Sequence, residues 1–375
     1  MTRRPIAVRL ITWLPVGGIE RRLSAVVPRL ADAGWDMRVI CLREEGPLAN
    51  DLRAKGIPVE VITLRTRLSP PGIAALRRRL REIAPDVVHS HMYRSNIPGT
   101  IAARLAGVKT IFGQIHNVDS WDTPRQAMMD RAVSRWRTGT IAVSGAVQAD
   151  VMKRLGLPAE RVPLLYNGID TDAFQPNAAL RGATRNELGI APASVAILVP
   201  ARLHPQKNPR GMLEAYAKAI EGWPGPPPVL LFAGAGKLEE EVRVRVAAMP
   251  GVDIRLLGAR DDMAALYNAS DAIALASFKE GFSNALVEAL ACGKPAIASD
   301  VGGNREAVDR PDVGWVHGAG DVETLAAHLR EALALGVDGL AAMAPACRSR
   351  AMDFSLDALV SRTDALYRQG MSAAR

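Results

Sequence analysis

The alternation of short apolar runs with longer helical runs restricts most strongly how this chain can fold. Apolar strands separated by helices are typical of parallel sheets that are covered on both faces. Strands are predicted near residues 6–13, 37–42, 58–63, 86–90, 109–114, 140–143 and 162–165, and in a second series near 195–201, 228–233, 253–257, 272–275, 295–298 and 313–316. Helices are predicted at 18–33, 46–55, 70–83, 95–106, 124–137 and 145–155, then at 208–221, 237–248, 262–269 and 284–292, with two or three closing helices. We therefore expect an α/β fold with doubly wound parallel sheets.

The two series of strands predict two domains. The length of 375 residues favours two domains over one, and the segment 167–176 reads as a linker. We predict a Rossmann-like domain at residues 1–172 and a second one at residues 173–354. Ligands of such sheets bind beyond the carboxyl ends of the strands, so two facing sheets would share one cleft.

The composition is that of an ordinary globular protein, with 23% charged and 48% apolar residues. The three cysteines, Cys41, Cys292 and Cys347, are few and far apart, which favours a reducing compartment over a disulfide framework. The apolar run 6–14 is interrupted by Arg9, and we interpret it as a strand rather than a signal peptide. We expect no membrane-spanning helix, because no run of eighteen uncharged apolar residues occurs.

The net charge of +8 is concentrated in the first half of the chain. Residues 1–180 contain 26 Lys and Arg against 16 Asp and Glu. One basic patch comprises Arg65, Arg67, Arg77, Arg78, Arg79 and Arg81, and a second comprises Arg125, Arg131, Arg135 and Arg137 beside Met128, Met129 and Trp136. Basic amphipathic helices suit an anionic membrane surface, although an arginine-rich surface without a partner has the same composition. No recognition motif for nucleic acid is present, and we expect no nucleic-acid partner.

Two carboxylates, Glu280 and Glu288, stand eight positions apart around a glycine turn that opens an apolar helix. Gly281 lets the backbone approach a ligand closely, and Ser283 or Asn284 can cap the helix. The first N–H groups of a helix bind phosphate well, so the segment suits a phosphate flanked by hydroxyl groups. A capped helix with one exposed glutamate is the alternative interpretation.

Cations and glycines follow other predicted strands. Arg202 and Lys207 come after the strand at 195–201, where two cations can bracket a pyrophosphate. Gly17-Gly18 follows the first strand and starts a helix, which also attracts negative charge. The sequence Gly234-Ala-Gly236 lacks the third glycine of a dinucleotide fingerprint, so it is a weak signal for NAD.

Two patterns resemble metal sites. His89 and His91 with His116 could form one, but we expect the two strand histidines to point to opposite faces, so that only one lines the ligand site. Asp170-Thr-Asp172 resembles a metal-binding Asp-x-Asp motif, but it lies in the linker, and we interpret it as turn chemistry.

These positions together resemble the retaining GT-B glycosyltransferases of family 4, the group 1 enzymes. The resemblance rests on Gly-Gly-Ile-Glu (17–20), Asp-Val-Val-His-Ser-His (86–91), Tyr-Asn-Gly-Ile-Asp (166–170), Ala-Arg-Leu-His-Pro-Gln-Lys-Asn (201–208), Ala-Gly-Ala-Gly (233–236), Leu-Leu-Gly-Ala-Arg-Asp-Asp (256–262) and the Glu-x7-Glu segment (280–289). It covers nearly the whole chain, and it also implies that a closing helix at about 355–370 returns to the first domain.

The resemblance implies roles for individual residues. Glu280 would contact the donor sugar, Arg202 and Lys207 would hold the diphosphate, and His116 would bind the sugar or assist the acceptor hydroxyl. The implied nucleotide-sugar contacts are Gly18, Gly234, Arg260 (base pocket), Gly281, Phe282, Ser283, Asn284, Ala285 and Glu288 (ribose), and the implied acceptor contacts are Glu20, His91 and Asn117. Asn117 departs from the pattern, because many relatives carry Thr or Ser there.

The function that follows is transfer of a hexosyl group, with retention, from a nucleotide diphosphate sugar to a lipid-linked or polysaccharide acceptor of the cell envelope. UDP is the expected nucleotide, and no metal or other cofactor is expected. The enzyme would work in the cytoplasm, peripheral to the inner face of the membrane. A sugar-nucleotide epimerase with acid/base groups at Asp119 and Asp122, or a non-catalytic nucleotide-sugar-binding subunit, are the alternatives.

Overall fold

The computed structural model describes residues 3–15, 17–66, 68–118, 120–121 and 123–374. The chain divides into two compact units, the first made of residues 1–168 with 356–375 and the second of residues 169–355. Each unit contains one six-stranded parallel sheet with flanking helices. The predicted α/β fold with two doubly wound sheets is therefore confirmed.

The first unit winds its chain in two directions from the centre of its sheet. Its elements are β1 (Ile6–Ile11), α1 (Gly18–Asp32), β2 (Asp36–Cys41), α2 (Leu48–Ala54), β3 (Val59–Val61), α3 (Pro70–Ile83), β4 (Val87–His91), α4 (Met92–Ala106), β5 (Thr110–Ile115), α5 (Pro124–Ser134), β6 (Gly139–Ala142) and α6 (Gly145–Leu155). The strand order is β3-β2-β1-β4-β5-β6, so the direction of winding reverses between β1 and β4. Loops diverge at such a switch point and leave room for a ligand beyond the strand ends.

The second unit repeats this arrangement. Its elements are α7 (Ala178–Glu187), β7 (Ala196–Val199), α8 (Pro209–Ile220), β8 (Val229–Phe232), α9 (Glu239–Ala247), β9 (Asp253–Leu256), α10 (Met263–Ala269), β10 (Ala272–Leu275), α11 (Asn284–Ala291), β11 (Ala296–Ser299), α12 (Asn304–Ala307), β12 (Gly314–His317), α13 (Val322–Ala342) and α14 (Ala344–Met352). The order β12-β11-β10-β7-β8-β9 sets the switch point between β7 and β10.

The closing helix α15 (Leu356–Ala373) belongs to the first unit. Its buried side chains Leu356, Leu359 and Tyr367 join the apolar core between the sheet and α1. Tyr367 packs edge-on against Trp35, whose indole N–H donates to Asp364 on the same helix (2.8 Å). The unit is thus completed by a segment that follows the whole second unit in sequence.

Several elements differ from the prediction, among them the short helix α12, which was not predicted. The strand predicted at 162–165 is a single bridge between Leu164 and Ala142, because Pro163 cannot donate to a strand ladder. Helix α7 was not predicted. It begins directly after the linker, and the Asn177 side chain caps it by accepting from the N–H of Leu180 (2.9 Å). Across the described ranges, no helix is both long and apolar enough to cross a membrane.

Candidate active site

The loops after β7 and β10 flank the switch point of the second unit. Lys207 ends a short 3₁₀ turn (Pro205–Lys207) in the first of these loops. Its ammonium group donates to the Oε1 atom of Glu280, which lies in the second loop. Oε1 also accepts a hydrogen bond from the Ser277 hydroxyl (2.8 Å). The motifs that contain Lys207 and Glu280 are therefore brought together here. The two side chains form an ion pair, and only 8% of Glu280 is exposed.

The loop that carries Glu280 is held on two sides by hydrogen bonds from neighbouring loops. The Gln206 side-chain amide donates to the Lys279 carbonyl (2.8 Å), and the Gly303 N–H donates to the Gly281 carbonyl (2.8 Å). Gly302 has a φ of 55°, and a Cβ atom on it would lie 2.2 Å from the Glu280 carbonyl oxygen. The position of Glu280 thus depends on neighbouring loops as well as on its own.

Helix α11 begins directly after this loop. Ser283 occupies the N-cap position and Asn284 is the first helical residue, but the Ser283 side chain makes no capping hydrogen bond. Ser283 thus occupies one of the two predicted capping positions without making a capping hydrogen bond. Phe282 and Ser283 are buried, whereas Ala285 is half-buried. A bound anion could take up the first turn of the helix in place of a cap.

Glu288 lies in the middle of α11. Its Oε2 atom accepts a hydrogen bond from the hydroxyl of Tyr267 on the neighbouring helix α10 (2.8 Å). The pKa of Tyr267 is raised well above its usual value, first by burial and then by the Glu288 charge, so the phenol keeps its proton and donates. This hydrogen bond restricts the carboxylate of Glu288.

The remaining predicted donor residues of this unit occupy two further loops. A Cβ atom on Gly234 would lie 2.2 Å from the Ala201 carbonyl, so this glycine allows its loop to pack against the loop of Arg202. The Arg260 guanidinium donates to both carboxylate oxygens of Asp262 (2.7 and 2.6 Å). Its position after β9 agrees with the motif, but in this structure the side chain is held by its own loop.

The first unit contains a buried cationic cluster beside its switch point. Arg9 on β1 is 3% exposed, and its Nη1 atom lies 2.8 Å from His89 Nδ1 and 2.9 Å from His91 Nε2. His91 Nδ1 lies 3.3 Å from Nε2 of His116, and His116 Nδ1 lies 3.3 Å from the guanidinium of Arg22 on α1. Among the described residues, no carboxylate forms an ion pair with Arg9.

The expected orientation of His89 and His91 is wrong. Residues two apart in a strand point to the same face, and the two imidazoles are stacked with their centroids 4.4 Å apart. Both rings face α1 and α15, where His89 Nδ1 also lies 2.8 Å from the Tyr367 hydroxyl. Burial lowers the pKa values of His89, His91 and His116 well below the usual value, with added contributions from neighbouring charges that include Arg9. The three imidazoles are therefore neutral at neutral pH.

Neutral histidines between two arginines limit the possible tautomers. Arginine only donates, so the short contact from Arg9 requires His91 Nε2 to accept and leaves the proton of that ring on Nδ1, 3.3 Å from His116 Nε2. Arg22 imposes the same condition on His116 Nδ1, which leaves the proton of His116 on Nε2, so two ring N–H groups face each other between the arginines. Two adjacent donors can hold one oxygen atom between them, so this arrangement can bind a hydroxyl, phosphate or carboxylate oxygen.

The other predicted residues of the first unit lie around this cluster. Gly18 is the first residue of α1. Glu20 is buried, and burial raises the pKa of its carboxyl group. Asn117 follows His116, and its backbone carbonyl accepts from the Ser120 hydroxyl (2.5 Å). The residues of the epimerase alternative, Asp119 and Asp122, lie outside the described residues.

Sequence reasoning missed several contributors. Arg9 was noted only as an interruption of an apolar strand, yet a charged residue inside a buried strand is itself a signal for a polar site. Ser277 and Tyr267, which orient the two glutamates, carry no motif of their own. Asp170 forms the predicted turn, in which its Oδ1 accepts from the N–H groups of residues 172 and 173 (both 3.1 Å).

Solved structures share the overall fold of this chain. The chain is similar to HepE of Anabaena in complex with UDP, with a TM-score of 0.83 and 23% identity over 97% of this chain and 99% of that one. A glycosyltransferase from Rickettsia africae gives a TM-score of 0.82 at 19% identity, over 98% and 99% of the two chains. These likenesses show that the fold is GT-B, the fold of nucleotide-sugar-dependent glycosyltransferases.

The family is shown by sequence. The model described as Glycosyltransferase Family 4 matches residues 16–173, and the model described as Glycosyl transferases group 1 matches residues 181–349. The chain therefore belongs to the group 1 glycosyltransferases of family 4.

Curated relatives cover most of the chain at low identity. The UDP-Gal:α-D-GlcNAc-diphosphoundecaprenol α-1,3-galactosyltransferase of Escherichia coli is 27% identical over 338 residues, which are 86% of this chain and 87% of that protein. The D-inositol 3-phosphate glycosyltransferase of Saccharomonospora viridis is 28% identical over 310 residues, or 77% and 71% of the two chains.

Proposed function

We propose that this glycosyltransferase moves a hexosyl group from a UDP-sugar to a lipid-linked or polysaccharide acceptor with retention of the anomeric configuration. The observation that carries the proposal is the ion pair between Lys207 and Glu280 at the switch point of the second sheet. One of the relatives is named for UDP-Gal and for a lipid diphosphate acceptor, which supports the same choice of donor and acceptor class.

The cations of the loop after β7 would stabilise the leaving group. As the bond between the anomeric carbon and the phosphate oxygen breaks, negative charge develops on the diphosphate. Lys207 is held by its ion pair with Glu280, and Arg202 lies exposed on the same loop. Cations placed in this way before the reaction lower the barrier to such a departure. They would supply the charge that a divalent metal supplies in other transferases, so we propose a reaction that needs no metal.

Glu280 would orient the sugar rather than attack it. Its Oε1 atom already accepts from Lys207 and Ser277, which fixes the carboxylate and leaves it suited to receive hydroxyl hydrogen bonds. In the proposed front-face reaction the acceptor hydroxyl attacks the anomeric carbon on the side from which the diphosphate leaves. The acceptor proton passes to the departing phosphate oxygen, so no protein nucleophile is consumed.

On the first unit, His116 and Arg22 would bind an oxygen of the sugar or acceptor. With its pKa lowered by burial, His116 is neutral at physiological pH and can donate through Nε2 without carrying a charge. Gly18 and Glu20 at the start of α1 would contribute to the same binding region, as would His91 and Asn117.

We propose that the enzyme works in the cytoplasm at the inner membrane face, bound through helix α5 rather than α3. Arg79 of α3 is bound by Glu60 (2.7 and 2.6 Å), and Arg67 lies outside the described residues. Arg137 is not part of a basic surface as predicted, because it forms a fully buried ion pair with Asp130. On and directly after α5, however, Met128 (69% exposed) and Trp136 (48%) stand beside the exposed Arg125, Arg131 and Arg135, a composition suited to an anionic bilayer surface.

A thermal-shift panel tests the donor. The protein is heated with UDP, GDP, ADP or CMP and their common sugar conjugates, all with EDTA present. We expect a rise in melting temperature with UDP and one UDP-sugar, because a ligand that binds only the folded state stabilises it. A rise with another nucleotide would contradict the UDP assignment, and a rise that EDTA abolishes would contradict metal independence.

Product analysis separates the two alternative functions. An epimerase would convert the UDP-sugar into its epimer without an acceptor, whereas the proposed transferase releases UDP. A non-catalytic subunit would bind the donor and release nothing, and Glu280→Ala would then change only its affinity. Release of UDP that depends on Glu280 would contradict that alternative.

A further inference from the structure

A second polar pocket lies at the carboxyl ends of the strands of the first unit. It has a volume of ≈ 390 Å³ and is lined by Arg43, Arg65 and Arg94 together with the hydroxyl residues Thr12 and Thr66. Thr12 follows β1, Arg43 follows β2, Thr66 follows β3, and Arg94 lies in the first turn of α4 after β4. Ligands of doubly wound sheets bind at this edge.

The backbone around the pocket is well connected. The N–H of Arg43 donates to the Thr12 carbonyl (2.9 Å), and the N–H of Leu64 donates to the Leu42 carbonyl (2.8 Å). The Thr63 hydroxyl donates to the carbonyl of Arg43 (3.0 Å). Three consecutive strand-end loops are thereby joined, so the arginines project from a supported rim.

The charge of the pocket is not balanced by the protein. None of the described residues that line it is acidic. Arg43 forms only an exposed ion pair with Glu44 at 3.6 Å, a kind of pair that contributes little. Within the described part of the chain, Arg65 and Arg94 make no ion pair or side-chain hydrogen bond. The arginines of α3 differ, because Arg79 is bound by Glu60.

The pocket is continuous with the surroundings of His116. A neighbouring pocket of ≈ 400 Å³ is lined by His116, Asn117 and Tyr93, and it shares Thr12 and Arg94 with the arginine pocket. An acceptor whose hydroxyl reaches His116 could therefore extend an anionic group towards the three guanidinium groups.

We infer that the acceptor carries a phosphate or diphosphate group, and that Arg43, Arg65 and Arg94 bind it. Guanidinium groups match phosphate oxygens in geometry and charge, and three of them suit the two negative charges of a phosphate ester or diphosphate. The inference rests on the proposed transferase function, and it identifies the acceptor by its anion rather than by its sugar.

Binding of inorganic pyrophosphate to the UDP-saturated protein tests this site by calorimetry. Saturation with UDP prevents pyrophosphate from reporting on the donor site. We expect the variant Arg43→Gln/Arg65→Gln/Arg94→Gln to bind at least about tenfold more weakly than the wild type, because it loses the charge-assisted hydrogen bonds of three guanidinium groups. The control variant Arg77→Gln/Arg78→Gln/Arg81→Gln removes the same charge from α3 and should bind as the wild type does. Thermal melting establishes that each variant is folded.

The outcomes distinguish this inference from the proposed function. A wild type that does not bind UDP would overturn the proposed function. A wild type that binds UDP but not pyrophosphate would overturn only the inference, and so would an equal loss in the control variant. The pocket would instead be assigned to membrane lipid if its variant lost binding to phosphatidylglycerol vesicles while binding pyrophosphate normally.

Kinetics with a matched acceptor pair provide the second test. Once the donor sugar is known, transfer to a sugar 1-phosphate is compared with transfer to the corresponding methyl glycoside. We expect Arg94→Gln to raise the KM for the phosphorylated acceptor about tenfold or more relative to its effect on the KM for the methyl glycoside. Equal effects on both acceptors would contradict a phosphate contact.

Discussion

At the scale of single residues, Lys207 and Glu280 form the charge pair around which the site of the second unit is arranged. Each of the two lies in the loop that follows a different strand, and each occurs in a recognisable motif. Their contribution to catalysis depends on their side chains being held in place before the substrate binds. The hydrogen bond from the Ser277 hydroxyl to Glu280 helps to hold the carboxylate.

Replacing Lys207 by Met is expected to slow UDP-sugar turnover by about 10²–10³-fold, because one preorganised charge would be lost from the leaving-group site. The measurement is UDP release at saturating donor. Lys218→Met is the matched control, since Lys218 pairs with Glu323 on an exposed surface of the same unit. Equal activity of the Lys207 variant and the wild type would exclude this role.

The double variant Lys207→Met/Glu280→Gln should release UDP about as slowly as the slower single variant, because the effects of residues that act together are not additive.

The buried histidines predict a pH dependence of stability in the first unit. Their folded pKa values lie below the unfolded value of about 6.5, so the unfolded state binds more protons in acid. Stability should therefore fall as the pH falls below about 6.5, by up to roughly 1.4 kcal/mol per pH unit for each histidine. Hydrogen exchange of the β4 and β5 peptides between pH 7.5 and 5.5, corrected for the intrinsic rate, measures this loss.

Substitutions identify the source of that dependence. His116→Asn should reduce the slope by one proton. His328→Asn is the control, because His328 lies on α13 of the second unit, whereas β4 and β5 belong to the first. Protection that does not vary with pH would mean that the cluster accepts protons in the folded state.

At the scale of elements, the loop after β10 is positioned by the loop after β11. In Gly302→Ala, the new Cβ atom would meet the Glu280 carbonyl, and the carboxylate would move. We expect a loss of about a hundredfold in UDP-sugar turnover, the effect of misplacing a reacting group by about 1 Å. Gly251→Ala is the control, since Gly251 also has a positive φ but has open space around it. Equal activity of the two variants would contradict the steric explanation.

The sequence predicted the elements of the fold better than the contacts of the site. Strand and helix periodicity is local, so β10 was predicted with its observed bounds, and α11 differed by one residue. Pro163 ended a strand that its apolar neighbours had favoured. Arg137 was predicted to be a surface cation. Its partner Asp130 lies seven residues earlier on α5, and the sequence alone does not indicate that the two side chains form a buried ion pair.

Contacts that depend on tertiary structure could not be read from motifs. Arg9 and the histidines of β4 meet because β1 and β4 are neighbours at the switch point, although they are about 80 residues apart in sequence. The motif containing Glu280 predicted its position at a strand end, but its contacts with Ser277 and with the Gly302 loop follow from the packing of three loops.

At the scale of the whole molecule, the first unit is completed by α15, which follows the second unit in sequence. A chain ending at Ser355 would lose the buried side chains of Leu356, Leu359 and Tyr367, each worth about 1.5–3 kcal/mol. We expect the peptides of β4 and β5 to lose protection from hydrogen exchange, while those of β7 and β10 keep it. A chain ending at Ala373 is the control, and retained protection of β4 in the shorter chain would contradict this role of α15.

The anomeric configuration of the sugar first released from the donor tests the proposed reaction most directly. In the absence of acceptor, with EDTA present, slow hydrolysis of the UDP-α-hexose that binds is followed by proton NMR on a timescale shorter than mutarotation. Front-face departure and attack predict that the α-anomer appears first and that Lys207→Met suppresses it. Initial appearance of the β-anomer would contradict retention, and hydrolysis that stops in EDTA would contradict the role given to Arg202 and Lys207.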